Sequence, residues 1–270
     1  MFFEPISVIL PAKDASGTIR TAVLSTLQSM HFDDELIIVL DQTDDQTFSK
    51  IATIQDPRIQ IHRLQGQQSL TKKLNFGMFQ SRNAIIARMD ADDICLPWRF
   101  NAQRTVIGRN SIQLVASTYI AFGTKLRPLP VLPQLPIPLE TSDIVSLLVD
   151  TNPIAHPTVM FRKSSIIDVG GYRESVAEDL DLWLRVALAG HEIRRIAWPT
   201  VLYRFSRRSL SRQADFTSRV LADQELIRLR RELRKASSEF ESVLSTLPKL
   251  RRMRNRVISK LVRLNLKLNN

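Results

Sequence analysis

Residues 6–40 read ISVILPAKDASGTIRTAVLSTLQSMHFDDELIIVL, and the two periods inside this stretch decide the fold. Residues 6–12 (ISVILPA) form an apolar run closed by polar residues, the pattern of a strand buried on both faces. Over 18–30, Ile19, Val23, Leu24 and Leu27 recur at helical spacing. Residues 36–40 (LIIVL) return to the continuous apolar pattern. Working outward, the alternation continues with a helix over 45–55, a strand over 59–64, a helix over 70–79 and a strand over 84–89. Near-continuous apolar strands separated by helices predict an α/β protein with a largely parallel sheet covered on both faces. Right-handed crossovers make it a Rossmann-like wound sheet with flanking helices.

The dinucleotide fingerprint is missing from that frame. Strand one is followed by Pro11-Ala12-Lys13-Asp14-Ala15-Ser16-Gly17, not GxGxxG, and no GxxxxGK[ST] loop occurs, so NAD and P-loop chemistry are not expected. Residues 128–138 read PLPVLPQLPIP, which proline confines to an extended connector or a lid. A helix over 141–149, a strand over 158–162, a helix over 178–189 ending at Gly190 and a strand over 202–205 complete the body.

Three acidic groups close apolar elements. Asp41 ends the second strand, with Asp44 and Asp45 beyond it. Asp90-Ala91-Asp92-Asp93 follows the fourth strand, and Glu178-Asp179-Leu180-Asp181 opens a late helix. Parallel strands share one carboxyl edge, where ligands bind, so the first two groups should meet in space. Three carboxylates in four residues repel one another unless a cation offsets them, and hard oxygen donors suit Mg²⁺ or Mn²⁺. The same acids also suit a helix N-cap, and those at 178–181 suit the positive end of a helix dipole.

Composition sets the remaining bounds. The 270 residues carry a net charge of +11, all of it in residues 205–270, where 17 Lys and Arg face 6 Asp and Glu. Residues 1–204 hold 21 of each sign and are neutral. A single cysteine, Cys95, excludes a disulfide scaffold and suits a reducing compartment. No apolar run approaches ~18 residues, so no membrane-spanning helix is expected, and the start of the chain lacks the pattern of a signal peptide. Residues 214–270 read as two helices. In the second, Leu250, Met253, Val257, Leu261, Leu264 and Leu268 form one stripe, beside Arg252, Arg256, Lys260, Arg263 and Lys267. Such a helix suits an anionic membrane surface, or packs its apolar stripe on the body or on a second copy. Nucleic acid is not expected, because no aromatic residue interleaves the arginines.

Taken together, ISVILPA, LIIVLD, SLTKKLNFG and ARMDADDICLPWRFNAQ resemble the donor-binding half of bacterial family 2 glycosyltransferases. NPIAHPTVMFRKSSIIDVGGYRE, AEDLDLWLRVALAG and LYRFSRRSLS resemble the acceptor half, so the likeness covers about residues 5–212. The resemblance implies a GT-A fold and inverting transfer from a nucleoside-diphosphate sugar, with UDP-sugar as the first expectation. It implies a saccharide or lipid-linked acceptor in cell-surface polysaccharide or lipopolysaccharide synthesis. On this resemblance, Asp41 holds the nucleotide base, with Pro11, Ala12 and Asp14 lining the same loop. Asp90-Ala91-Asp92 is the DxD motif, Asp90 toward the ribose and Asp92 toward the cation, with Asp93 supporting the turn. Asp179 is the general base. Glu178, Trp183 and Arg185 shape the acceptor side. Lys72 is assigned to the donor side, and His156 to the acceptor side or to an ordinary strand end.

The implied organisation is a donor part over 1–110, an acceptor part with the base over 111–213 and a basic helical extension over 214–270. The implied place is cytoplasmic, peripheral on the inner face of the membrane. Two departures bear on the donor: the usual VDDGSTD turn reads Val39-Leu40-Asp41-Gln42-Thr43-Asp44-Asp45, and the usual PTYN loop reads Pro11-Ala12-Lys13-Asp14. The alternatives carried beside this reading are a metal-dependent nucleotidyl- or phosphotransferase and a non-catalytic membrane-docked scaffold.

Overall fold

The computed structural model describes residues 4–109, 111–123, 134–205 and 215–244, with side chains through 237. Its strands are β1 (Ile6–Pro11), β2 (Glu35–Asp41), β3 (Ile59–Leu64), β4 (Ile85–Arg88), β5 (Ile94–Cys95), β6 (Ile112–Phe122), β7 (Met160–Arg162) and β8 (Glu192–Arg204). The helices are α1 (Ile19–Ser29), α2 (Asp45–Ile51), α3 (Leu70–Gln80), α4 (Arg99–Ile107), α5 (Thr141–Leu148), α6 (Lys163–Asp168), α7 (Glu178–Leu188), α8 (Phe216–Ala222) and α9 (Gln224–Leu244).

All eight strands form one sheet in the order β3-β2-β1-β4-β7-β6-β8-β5. The first four are parallel, as the apolar runs predict. β7 then runs antiparallel to both β4 and β6, and β5 antiparallel to β8, so the sheet is mixed. Alternation along the strands divides the core. Val8 and Leu10 join Val23 and Phe100 on one face, while Ile9 joins Leu74, Phe161 and Trp183 on the other.

Local differences from the sequence reading have physical causes. The expected strand over 158–162 starts late, because His156–Thr158 is a 3-10 turn with Pro157 at its start. The Thr158 hydroxyl closes that turn by donating to the Ala155 carbonyl at 2.7 Å. The strand expected over 202–205 belongs to the much longer β8, and β5, β6 and α6 add elements the apolar pattern does not announce.

Within the basic extension, α9 lies against α5 and α7 and buries Leu226, Leu229 and Leu233 in the same core as Trp183. Packing therefore continues past residue 214. The stripes over 250–268 and residues 128–133 of the proline-rich connector lie outside the described residues.

Candidate active site

The carboxyl edges of β1, β2 and β4 carry the first part of the site. Past Pro11, Ala12 continues the pairing by donating its N–H to the Val39 carbonyl at 2.8 Å. Asp14 has a positive φ of 50°, in the left-handed region that Asp tolerates better than most residues. Its N–H donates to Asp44 Oδ2 at 2.9 Å, while Asp44 Oδ1 caps α2 by accepting from the Thr47 N–H. Asp41 is buried and held at both oxygens. Oδ1 accepts from the Gln68 N–H at 2.9 Å, and Oδ2 pairs with the Lys73 ammonium at 2.9 Å. Lys73 also donates to the Ala12 carbonyl at 3.0 Å. Lys73 is the lysine that reaches this edge, while Lys72 stands exposed on α3 and its charge acts on Glu174. Helical phase is the cause, since Lys73 lies on the same face of α3 as buried Gly77.

Asp90, Asp92 and Asp93 form the second part. One carboxylate oxygen from each lies within 4.8 Å of the others, the only such group of three metal-binding side chains among the described residues. Ala91 is buried between them. Burial and then the Asp90 charge push the Asp92 carboxyl above its ordinary range, and the same two causes push Asp93 well above it. Asp93 Oδ1 accepts from the Arg204 N–H at 2.7 Å, while buried Oδ2 has no hydrogen-bond partner. Crowded hard oxygens with an orphaned lone pair are a donor set that fits Mg²⁺ or Mn²⁺. Arg204 also donates from Nε to the Asp92 carbonyl at 2.8 Å and lies over the Phe122 ring, so it braces this turn.

Asp90 itself is gripped by Arg88 through both guanidinium Nη atoms, one at 2.7 Å. Arg88 is buried and faces both acidic groups: its charge acts on Asp90 and Asp93, and on Glu178. His156 and Tyr172 occupy the same junction, with His156 Nε2 and the Tyr172 hydroxyl 2.9 Å apart. Burial, reinforced by Arg88, drives His156 down to about 3, against the opposing charges of Asp179 and Asp90. His156 is therefore neutral at physiological pH, and the 3.7 Å approach of Nδ1 to Glu178 is not an ion pair. Asp90 and Asp179 both act on His156 and on Tyr172, so the two acidic groups flank one buried junction.

Asp179 opens α7. Its Oδ2 accepts from Asn152 Nδ2 at 2.8 Å and its Oδ1 from the Leu180 N–H at 2.7 Å. Burial and the Glu178 charge push the Asp179 carboxyl up, and burial pushes Glu178 up as well. Trp183 and Arg185, expected at the acceptor wall, turn inward. Trp183 is fully buried and meets His156 edge-on at 5.7 Å, so it backs the pocket without lining it. Arg185 pairs with Asp181 one helical turn earlier and donates to the Val169 and Gly171 carbonyls. The i,i+4 spacing of opposite charges makes that pairing natural. Arg88 and Asn152 stand at this junction without having been singled out in the sequence. For Arg88 a signal existed, a basic residue inside an otherwise apolar strand directly before the acids.

Comparison with known proteins places this geometry. The family model described as glycosyl transferase family 2 matches residues 7–170. The chain is 31% identical over 225 residues to the O-antigen biosynthesis glycosyltransferase WbnJ of Escherichia coli, covering 78% of this chain and 84% of that one. It is 26% identical over 208 residues to the Escherichia coli UDP-Gal:alpha-D-GlcNAc-diphosphoundecaprenol beta-1,3-galactosyltransferase, covering 74% of each. Residues 1–349 of Staphylococcus aureus TarS, solved with UDP-GlcNAc, superpose with a TM-score of 0.64 at 17% identity, over 85% of this chain and 70% of that one. The fold is the expected GT-A fold.

Proposed function

The chain belongs to glycosyl transferase family 2 and is a glycosyltransferase, and on that premise we propose that it moves a sugar from a UDP-sugar, with inversion, to a saccharide or lipid-linked acceptor. The observation that carries the reading is the buried junction of Arg88, His156 and Tyr172, flanked by the acids at the end of β4 on one side and the acids opening α7 on the other. The galactosyltransferase relative, named for a UDP-Gal donor and a diphosphoundecaprenol-linked acceptor, supports the donor and acceptor classes.

Each residue then has a task that its surroundings favour. Asp41 accepts from the nucleotide base beside the 11–14 loop. Asp92, with its neighbours Asp90 and Asp93, would hold Mg²⁺ or Mn²⁺, which when bound neutralises the charge of the diphosphate. Asp179 takes the proton of the acceptor hydroxyl, and its raised carboxyl makes it a stronger base than an exposed aspartate. Asn152 aims the accepting carboxylate. A pocket of this kind needs no enzyme nucleophile, and direct displacement inverts the anomeric carbon.

Family membership sets aside the nucleotidyl-transfer and scaffold alternatives. No helix among the described residues is long and apolar enough to cross a membrane. We place the enzyme on the cytoplasmic face of the membrane, docked by the basic residues beyond α9, where a lipid-linked acceptor is within reach. The test is nucleoside-diphosphate release from a panel of nucleotide sugars with Mg²⁺ or Mn²⁺, followed by the anomeric configuration of the product. Turnover of a UDP-sugar with inversion supports the proposal. A chain that binds and turns over no donor contradicts it.

A further inference from the structure

We propose that Lys73 is a positioning residue for the donor, whose ammonium fixes the Asp41 carboxylate as the acceptor that reads the nucleotide base. The inference rests on the UDP-sugar reading given above. Lys73 is 2% exposed and Asp41 3%, and the two charges meet at 2.9 Å. A buried ion pair of this kind adds little stability over apolar residues of the same volume, whereas losing one member leaves the other charge uncompensated. Its place in the fold gives it another use. The pair stands at the carboxyl edge of the parallel strands, where ligands bind in such sheets.

One ammonium here ties three segments together. It holds the Ala12 carbonyl at the end of β1 and the Asp41 carboxylate at the end of β2, and it is itself carried by α3. The Gln68 N–H takes the other Asp41 oxygen, so the plane of the carboxylate is fixed. Each carboxylate oxygen keeps lone-pair capacity for one more donor. An ionised carboxylate only accepts. Ring nitrogen N3 of uracil carries a proton to give, and N3 of cytosine does not, so a carboxylate held in this state favours uracil. Without Lys73, nothing holds the second oxygen of the buried carboxylate in place, and that preference goes with it.

Calorimetric binding of UDP and of CDP, with Mn²⁺, to the wild-type chain, Lys73→Met, Asp41→Asn and the double variant tests this. Thermal melting checks the fold of each, and Lys73→Gln replaces Lys73→Met if the latter does not fold. The wild type should prefer UDP. Each single substitution should weaken UDP by roughly tenfold or more, the loss of a hydrogen bond to a charged group, and leave CDP within about twofold. The double variant should bind UDP no more weakly than the singles, because the two residues act as one unit. Equal weakening of UDP and CDP by Lys73→Met, unchanged UDP affinity, or single effects that add would each overturn the role of Lys73 while leaving the donor reading intact. A wild-type chain that binds neither nucleotide overturns both.

Discussion

Removing the side chain of Asn152 should shift the acid side of the pH–rate profile without shifting its shape. Asp179 accepts a proton only when ionised. Burial and the Glu178 charge already push its carboxyl up, and the Asn152 amide, 2.8 Å away, is one of the groups holding it down. A hydrogen bond to a charged group contributes about 1.5–3 kcal/mol. Asp179 keeps part of its surface in water, so the lower end applies. About 1.5 kcal/mol is about tenfold in the proton equilibrium. In Asn152→Ala the ionised fraction at acidic pH should therefore fall about tenfold, and the acid limb of kcat/KM should move to higher pH. At pH well above the limb, activity should approach that of the wild type. Asn152→Asp keeps the acceptor that the Ile154 N–H uses but sets a second carboxylate against Asp179. Its limb should move further than that of the alanine variant. The assay is nucleoside-diphosphate release against pH for the three proteins. A uniform slowing at every pH, or a limb in Asn152→Asp that matches the wild type, would falsify the assignment of Asp179 as the base that Asn152 tunes.

Three further outcomes follow from the same structure. Asp92→Ala should raise the half-saturating Mn²⁺ concentration by about tenfold or more, and an unchanged Mn²⁺ titration would remove Asp92 from the cation site. Leu229→Ala opens a cavity between α9 and α7, so thermal unfolding should report a loss of about 2–5 kcal/mol; no change in melting would mean that α9 does not pack on the body. Cys95 is buried and its thiol is pushed up by that burial, so a thiol reagent should label it in urea but scarcely in the native chain, and fast native labelling would contradict its packing.

β1, β2 and β4 were legible because each is an apolar run that ends in a polar turn, and a parallel strand buried on both faces cannot look otherwise, whereas half-buried β3 at the sheet edge showed only the alternation of Ile59 and Ile61. The acidic edge was legible for the converse reason, since carboxylates crowd after a buried strand only where something offsets them. β6 was hidden by its polar interior. Ser117 and Thr118 are fully buried within it, satisfied by the Thr200 hydroxyl and the Ala197 carbonyl, partners that no local pattern reveals. The same holds for the junction of Arg88, His156 and Tyr172, whose members are far apart in sequence and meet only through the sheet order. Motif position without side-chain direction did not show which way Lys72 and Arg185 turn. Helical phase puts Lys73 inward, and charge spacing commits Arg185 to Asp181.

The most direct test of the central claim is Asp179→Asn, measured twice on the same protein. Sugar transfer from the UDP-sugar that the wild type uses should be lost, because the amide cannot accept the acceptor's proton. Binding of UDP with Mn²⁺ should stay within about twofold of wild type, because the donor is held by the β1, β2 and β4 edge and not by α7. Retained transfer would contradict Asp179 as the base. Loss of transfer together with loss of UDP binding would contradict the division of the pocket into a donor edge and a catalytic helix.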